Sequence, residues 1–220
     1  EQNFQTAIKL NGNYSTAWHW RGAVLMRMGQ NDDERSQCAN KAYELDPKYA
    51  ELSSGMAHLH MDNENYEEAL WYMQNAYDLS NRENKIYKTI TAEIYYKMNE
   101  PSKGIKVINE TFGEDLSSHP QALVALALCY SKKGDKGKCY ELLSKLLHIL
   151  VTKERYIPED KIADIYAELG DKSKTLFWIK RGIKNFSSNA TMFVSKPVYR
   201  KWVNDPEFVD LQDKVGLKRK

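Results

Sequence analysis

The sequence predicts an all-α solenoid of about five helix-turn-helix units closed by a C-terminal capping segment, and three observations predict it. Five small residues, Gly22, Ala57, Ala92, Ala127 and Ala163, recur at intervals of 35, 35, 35 and 36, each inside an apolar helical stretch. A fixed period of that size marks stacked copies of one supersecondary unit, because a lone helical pair cannot bury its apolar face. The apolar residues between them keep helical spacing, as in Tyr66, Ala69, Leu70, Met73 and Ala76. No stretch alternates with period two, so no sheet is expected.

Taken in order, Phe4, Ala7, Ile8 and Leu10 read as the end of a second helix, which makes residues 1–14 the remainder of a truncated repeat and the chain a fragment of something longer. Five repeats are expected at about 15–48, 50–82, 84–118, 120–155 and 156–186. Seven positions after each small residue comes a turn, filled by Gly29, Glu64, Asn99, Gly134 and Gly170. Glycine and asparagine there suit a left-handed helix terminus. A second small residue, Ala69, Gly104, Cys139 or Thr175, follows in the next helix, so each pair is expected to cross where side chains are short; the first copy offers Glu34 or Arg35 instead. The second helices close with Ala42, Ala76, Thr111, Leu146 and Gly182, and the first of them runs into Leu45-Asp46-Pro47, where proline cannot continue a helix. Leu79 stands 34 residues after Leu45. Leu142 to Tyr156 reads as an extended helix before Ile157-Pro158 restarts the pattern. Beyond Ser187-Ser188-Asn189, residues 187–220 change character: Phe193, Val194, Pro197, Val198, Tyr199 and Trp202 precede Asp205-Pro206-Glu207, where Asp caps and Pro opens a helix carrying Phe208 and Leu211. A terminal unit must seal the last apolar face, and this segment is read as that cap.

Lys and Arg total 32 against 30 Asp and Glu, a net charge of +2 that provides no field for nucleic acid or membrane lipid. The closing Lys218-Arg219-Lys220 is too short for a nucleic-acid patch. No apolar run approaches the roughly 20 residues of a bilayer-spanning helix. Neither nucleic-acid binding nor membrane insertion is therefore expected of this fragment. Cys38, Cys129 and Cys139 are an odd number without metal or redox spacing, so they form no disulfide framework and fit a reducing, cytoplasmic setting; a membrane span upstream would place the array in the periplasm instead.

No cofactor, metal or catalytic constellation emerges. His58 and His60 lie about 200° apart around a helix and cannot share a metal, and His19, His119 and His148 lack partners at ligand spacing. The turns Asn31-Asp32-Asp33-Glu34 and Asp62-Asn63-Glu64-Asn65 lack the glycine and distal glutamate of a calcium loop. Asp160 and Asp164, one helical turn apart, read as a solvated acidic face rather than an acid-base pair. The Gly-Asp turns at 134 and 170 have no Lys-Ser/Thr to grip phosphate. The chain is read as non-enzymatic.

These residues resemble the tetratricopeptide repeat, through Trp18, Gly22, Gly29, Ala42, Leu45 and Pro47 in the first copy and Ala163, Tyr166 and Gly170 in the last; the third departs, with Lys88 for an aromatic and Thr111 for Ala. The resemblance, over residues 1 to about 186, implies a right-handed superhelix with a concave wall. It places on that wall His19, Ala23 and Met26; Ser54, His58 and Met61; Thr89, Glu93 and Tyr96; Val124, Leu128 and Ser131; Asp160, Asp164 and Ala167. Such a wall suits an extended or helical peptide carrying one basic residue. The Lys, Asn and Arg clamp by which chaperone-tail binders hold a terminal carboxylate is replaced here by His19, Ala23, Ser54, His58, Thr89 and Glu93. From Tyr156 to Leu217, with Ala17-Trp18-His19-Trp20 at the other end, the chain is also similar to bacterial CadC-like winged-helix transcriptional activators and to some adenylate cyclases. That likeness implies a sensing or effector end of a larger regulator; the alternatives are a standalone assembly or secretion scaffold, or the accessory region of an enzyme such as a cyclase or transferase. Trp18 and Trp20 are candidates for contact with a missing repeat or, through self-association, with a second copy.

Overall fold

Four of the five expected turns fall within the residues that the computed structural model describes (1–28, 32–113, 116–152, 155–185, 193 and 196–214), and all four are left-handed. The central φ is 61° at Glu64, 61° at Asn99, 85° at Gly134 and 82° at Gly170. In each, the next residue donates its backbone N–H five positions back, Asn65 to His60, Glu100 to Tyr95, Asp135 to Tyr130 and Asp171 to Tyr166, at 2.9–3.0 Å. This is the bond pattern that satisfies the orphan carbonyls of a helix end. At the two Gly-Asp turns the aspartate then starts the next helix: Asp135 accepts from the Lys138 N–H at 3.1 Å and Asp171 from the Lys174 N–H at 3.0 Å. Gly29 and residues 187–189 and 218–220 lie outside the described residues.

The chain divides into two compact units, Glu1–Glu100 and Pro101–Lys220. The first comprises α1 (Gln2–Leu10), α2 (Ser15–Met28), α3 (Asp32–Leu45), α4 (Ala50–Asp62), α5 (Tyr66–Leu79) and α6 (Ile86–Lys97). Each helix packs on its neighbour in sequence, as a solenoid requires. The repeating small residues sit at the contacts. Ala57 and Ala69 join Met61, Met73, Ala76, Tyr87 and Ile94 in one buried cluster. The first pair differs from expectation: Gly22 faces Cys38, where a Cβ on the glycine would come within 3.3 Å of the cysteine Cβ. Glu34 and Arg35 instead make ion pairs, Glu34 with Arg21 and Arg35 with Asp62 at 2.5 Å.

The second unit comprises α7 (Pro101–Phe112), α8 (Pro120–Lys133), α9 (Lys136–Thr152), α10 (Glu159–Glu168), α11 (Lys172–Lys184), a 3-10 helix (Pro197–Trp202) and α12 (Pro206–Lys214). Helix α8 is buried on all sides from Ala122 to Cys129, because α7, α9 and α10 all pack on it. The helix expected to extend to Tyr156 is described to Thr152, whose hydroxyl donates to the carbonyls of His148 and Ile149, and residues 155–156 are not helical. Pro158 disfavours helical geometry at Ile157, so the chain restarts only at Glu159. Cys139 is fully buried, and burial pushes its thiol up to about 11. Cys38 and Cys129 are likewise buried and in no disulfide. Asp205 and Pro206 open α12 as expected, the Asp205 carboxylate accepting from the Glu207 N–H at 3.1 Å, and Phe208 and Leu211 are buried. No helix of the described residues is long and apolar enough to cross a membrane.

Candidate binding pocket and buried acidic pair

Within the first unit, α2, α3 and α4 with Tyr87 of α6 surround a concave pocket of about 360 Å³. Its walls come from residues one and two turns apart on helix faces: His19, Ala23 and Met26 on α2, Ala39 and Ala42 on α3, and Ser54, Gly55 and His58 on α4. The predicted residues His19, Met26, Ser54 and His58 therefore do converge. Gly55 makes room for the His19 ring, since a Cβ there would meet the ring at 3.2 Å. His19 lies edge-on to Trp20, with centroids 5.3 Å apart. Burial pulls the His19 imidazole below its ordinary value; nearby Glu51 raises it and His58 lowers it further. The pocket floor is thus apolar and soft, with a neutral imidazole at pH 7.

Charge at the rim is one-sided. Arg35 is matched by Asp62 at 2.5 Å. Glu51 is exposed, and among the described residues no cation pairs with it. Its field pushes the Tyr49 hydroxyl up, and together with burial it does the same at Tyr87. Sequence reasoning missed Gly55, Glu51 and Tyr87; Gly55 was visible as a glycine interrupting an otherwise helical run. His60, as its offset from His58 requires, faces elsewhere and stacks on Tyr72 at 5.2 Å. Trp18 is tied locally, its indole N–H donating to the Gly12 carbonyl at 2.8 Å, whereas Trp20 lines the pocket and is 47% exposed.

The remaining predicted wall residues do not form this site. Met61 lies in the buried cluster between α4 and α5, and Thr89 is buried, its hydroxyl donating to the Lys85 carbonyl. Glu93 and Tyr96 are half-buried on α6 outside the pocket lining. Leu128 is buried in α8. The physical reason is common to these core positions: they repeat the offsets of the pocket residues, but neighbouring helices pack over the later copies.

In the second unit, Asp160 and Asp164 are not a solvated face. They are 2% and 8% exposed, covered by the segment that follows α11. Lys196 Nζ lies 3.3 Å from Asp160 Oδ2 and 2.7 Å from Asp164 Oδ2, and the Tyr199 hydroxyl donates to Asp164 Oδ1 at 2.5 Å. Two buried carboxylates one turn apart repel unless a cation and donors compensate them, and this segment supplies both. Among the described residues no group of three or more His, Cys, Asp and Glu is placed to hold a metal ion.

No family model matches the chain. Two mammalian relatives do: interferon-induced protein with tetratricopeptide repeats 2 of Cricetulus griseus, 29% identical over 136 residues, and interferon-induced protein with tetratricopeptide repeats 3 of Mus musculus, 30% identical over 133 residues. Each match takes in 59% of this chain but only 28% and 32% of the relative, so the chain spans under a third of their length. Among solved structures, a tetratricopeptide repeat protein from Parabacteroides merdae aligns with 100% of this chain and 86% of its own at TM-score 0.61 and 14% identity. PilW, a type IV pilus biogenesis factor, covers 83% of each chain at TM-score 0.61 and 16% identity. MamA covers 70% of this chain and 88% of its own at TM-score 0.54 and 20% identity. Neither the relatives nor these structures carry the expected likeness to CadC-like regulators or cyclases. Paired helices, left-handed turns and these alignments together establish an all-α array of tetratricopeptide-repeat type.

Proposed function

We propose that the chain is a non-catalytic protein-binding module whose recognition site is the pocket between α2, α3 and α4. The observation that carries this reading is the convergence of Met26, His19 and His58 on a 360 Å³ apolar hollow beside the exposed carboxylate of Glu51. A hollow of that size takes one apolar side chain of a partner segment, and Glu51 favours a Lys or Arg next to it. Peptide-display selection against the full chain tests this. Peptides pairing an apolar residue with Lys or Arg should enrich on the wild type and disappear on Gly55→Leu, which fills the hollow; enrichment that survives Gly55→Leu sinks the reading.

The narrower reading, a sensing or effector end of a bacterial transcriptional regulator, is supported only by the residue likeness over 156–217 and at Ala17-Trp18-His19-Trp20. The relatives add nothing to it. Sequencing the reading frame upstream of Glu1 tests it: a winged-helix segment supports the regulator, a catalytic signature the enzyme accessory region, and neither the standalone scaffold.

A further inference from the structure

Resting on the pocket reading above, we infer that this pocket exchanges a proton for its partner: it holds a cationic segment while the His19 ring is neutral and releases it when the ring is protonated. Mild acidification is then the signal that empties it.

Three features of the pocket carry this. First, it sets two imidazoles, His19 of α2 and His58 of α4, around one hollow whose single carboxylate, among the described residues, is Glu51. Histidine changes charge just below neutral pH, so this lining titrates where a purely apolar one does not. Second, His19 is held inside. Its ring lies so close to the α4 backbone that a Cβ at Gly55 would come within 3.2 Å of it, and Trp20 borders it edge-on at 5.3 Å. A proton taken up there puts charge in the hollow itself, and burial works against that charge. Third, the other charges around His19 are already matched, which leaves Glu51 to be shared between ring and partner. On α3, Arg35 is held by Asp62 at 2.5 Å. On its own helix, Arg21 takes up both Glu1, at the start of α1, and Glu34 of α3. On α6, the Tyr87 hydroxyl is pushed up by burial and by Glu51, and stays neutral. On α4, Glu51 favours the imidazolium and His58 opposes it.

A bound segment acts on this balance in one direction. Its apolar side chain strips water from the ring, and its Lys or Arg brings a second cation beside Glu51, so both disfavour the imidazolium. Conversely, a protonated His19 claims the Glu51 carboxylate for itself. By linkage, affinity falls as pH drops through the folded His19 value, which lies below 6.5, and the fall approaches about tenfold per pH unit for one proton.

The test uses the full chain and a peptide with blocked termini, selected on it at pH 7.5 from a display library free of His, Asp and Glu, so that the probe keeps its charge down to pH 5.5. Titration calorimetry should show binding at least about threefold weaker at pH 5.5 than at pH 7.5, with circular dichroism showing equal helicity at both. At pH 6.0, binding should release protons, read as a heat that differs between two buffers of unlike ionisation enthalpy. His19→Gln should bring the affinity ratio between the two pH values close to one and abolish the proton release. A peptide that Gly55→Leu no longer binds, yet whose affinity for the wild type is the same at both pH values, overturns the proton exchange and leaves the pocket reading standing. A drop that survives His19→Gln overturns it as well. Failure to select any peptide that depends on Gly55 overturns the pocket reading itself, and this inference with it.

Discussion

Glu64 shows how strongly the repeat constrains single positions. It holds φ 61° where the last two copies use glycine, a conformation that costs a residue with a Cβ roughly 1 kcal/mol. Glu64→Gly is therefore expected to stabilise the chain by about 0.5–1 kcal/mol, and Gly170→Ala, at φ 82°, to destabilise it by about the same amount, both read from urea midpoints. His19 gives a pH signature. Burial keeps its folded pKa below the unfolded value of about 6.5, so the folded state binds fewer protons there. Stability is then complete above about pH 6.5 and falls as pH drops through that value toward the lower folded one. The urea midpoint should fall from pH 7.5 to 5.5, and His19→Gln should reduce the difference; a midpoint difference unaffected by the substitution would contradict the assignment.

At the scale of elements, the turns and the small-residue crossings were legible because each rests on one local requirement, a positive φ or a short side chain. Glu64, Asn99, Gly134 and Gly170 fell where the period put them. The wall residues were less so. Met61 and Thr89 share the offset of Met26 and His19, yet they are buried, because neighbouring helices close over the later copies of the position. Met61→Ala should accordingly cost about 2–4 kcal/mol, as a core truncation does, rather than leave stability untouched as a surface change would. The aspartate pair on α10 was illegible for a different reason: its partner lysine lies 32 and 36 residues away, beyond any local pattern. Lys196→Ala leaves two buried carboxylates facing each other. Local opening of the cap, measured by hydrogen exchange, should become easier by an amount toward the lower end of the roughly 3–5 kcal/mol typical of a broken buried pair, because Lys196 is itself partly exposed.

For the molecule as a whole, contacts between sequence neighbours mean that damage should stay near its origin. Ala127→Trp overpacks the fully buried centre of α8, and exchange protection should be lost in α7 to α10 while α2 to α5 keep theirs. The central claim, that the first unit carries a recognition pocket, is tested most directly by calorimetric titration of a display-selected peptide into wild type, Glu51→Gln and Gly55→Leu, with circular dichroism confirming that all three are folded. Glu51→Gln should cost a measurable part of the affinity and Gly55→Leu at least tenfold, whereas equal affinity for all three would place the site elsewhere.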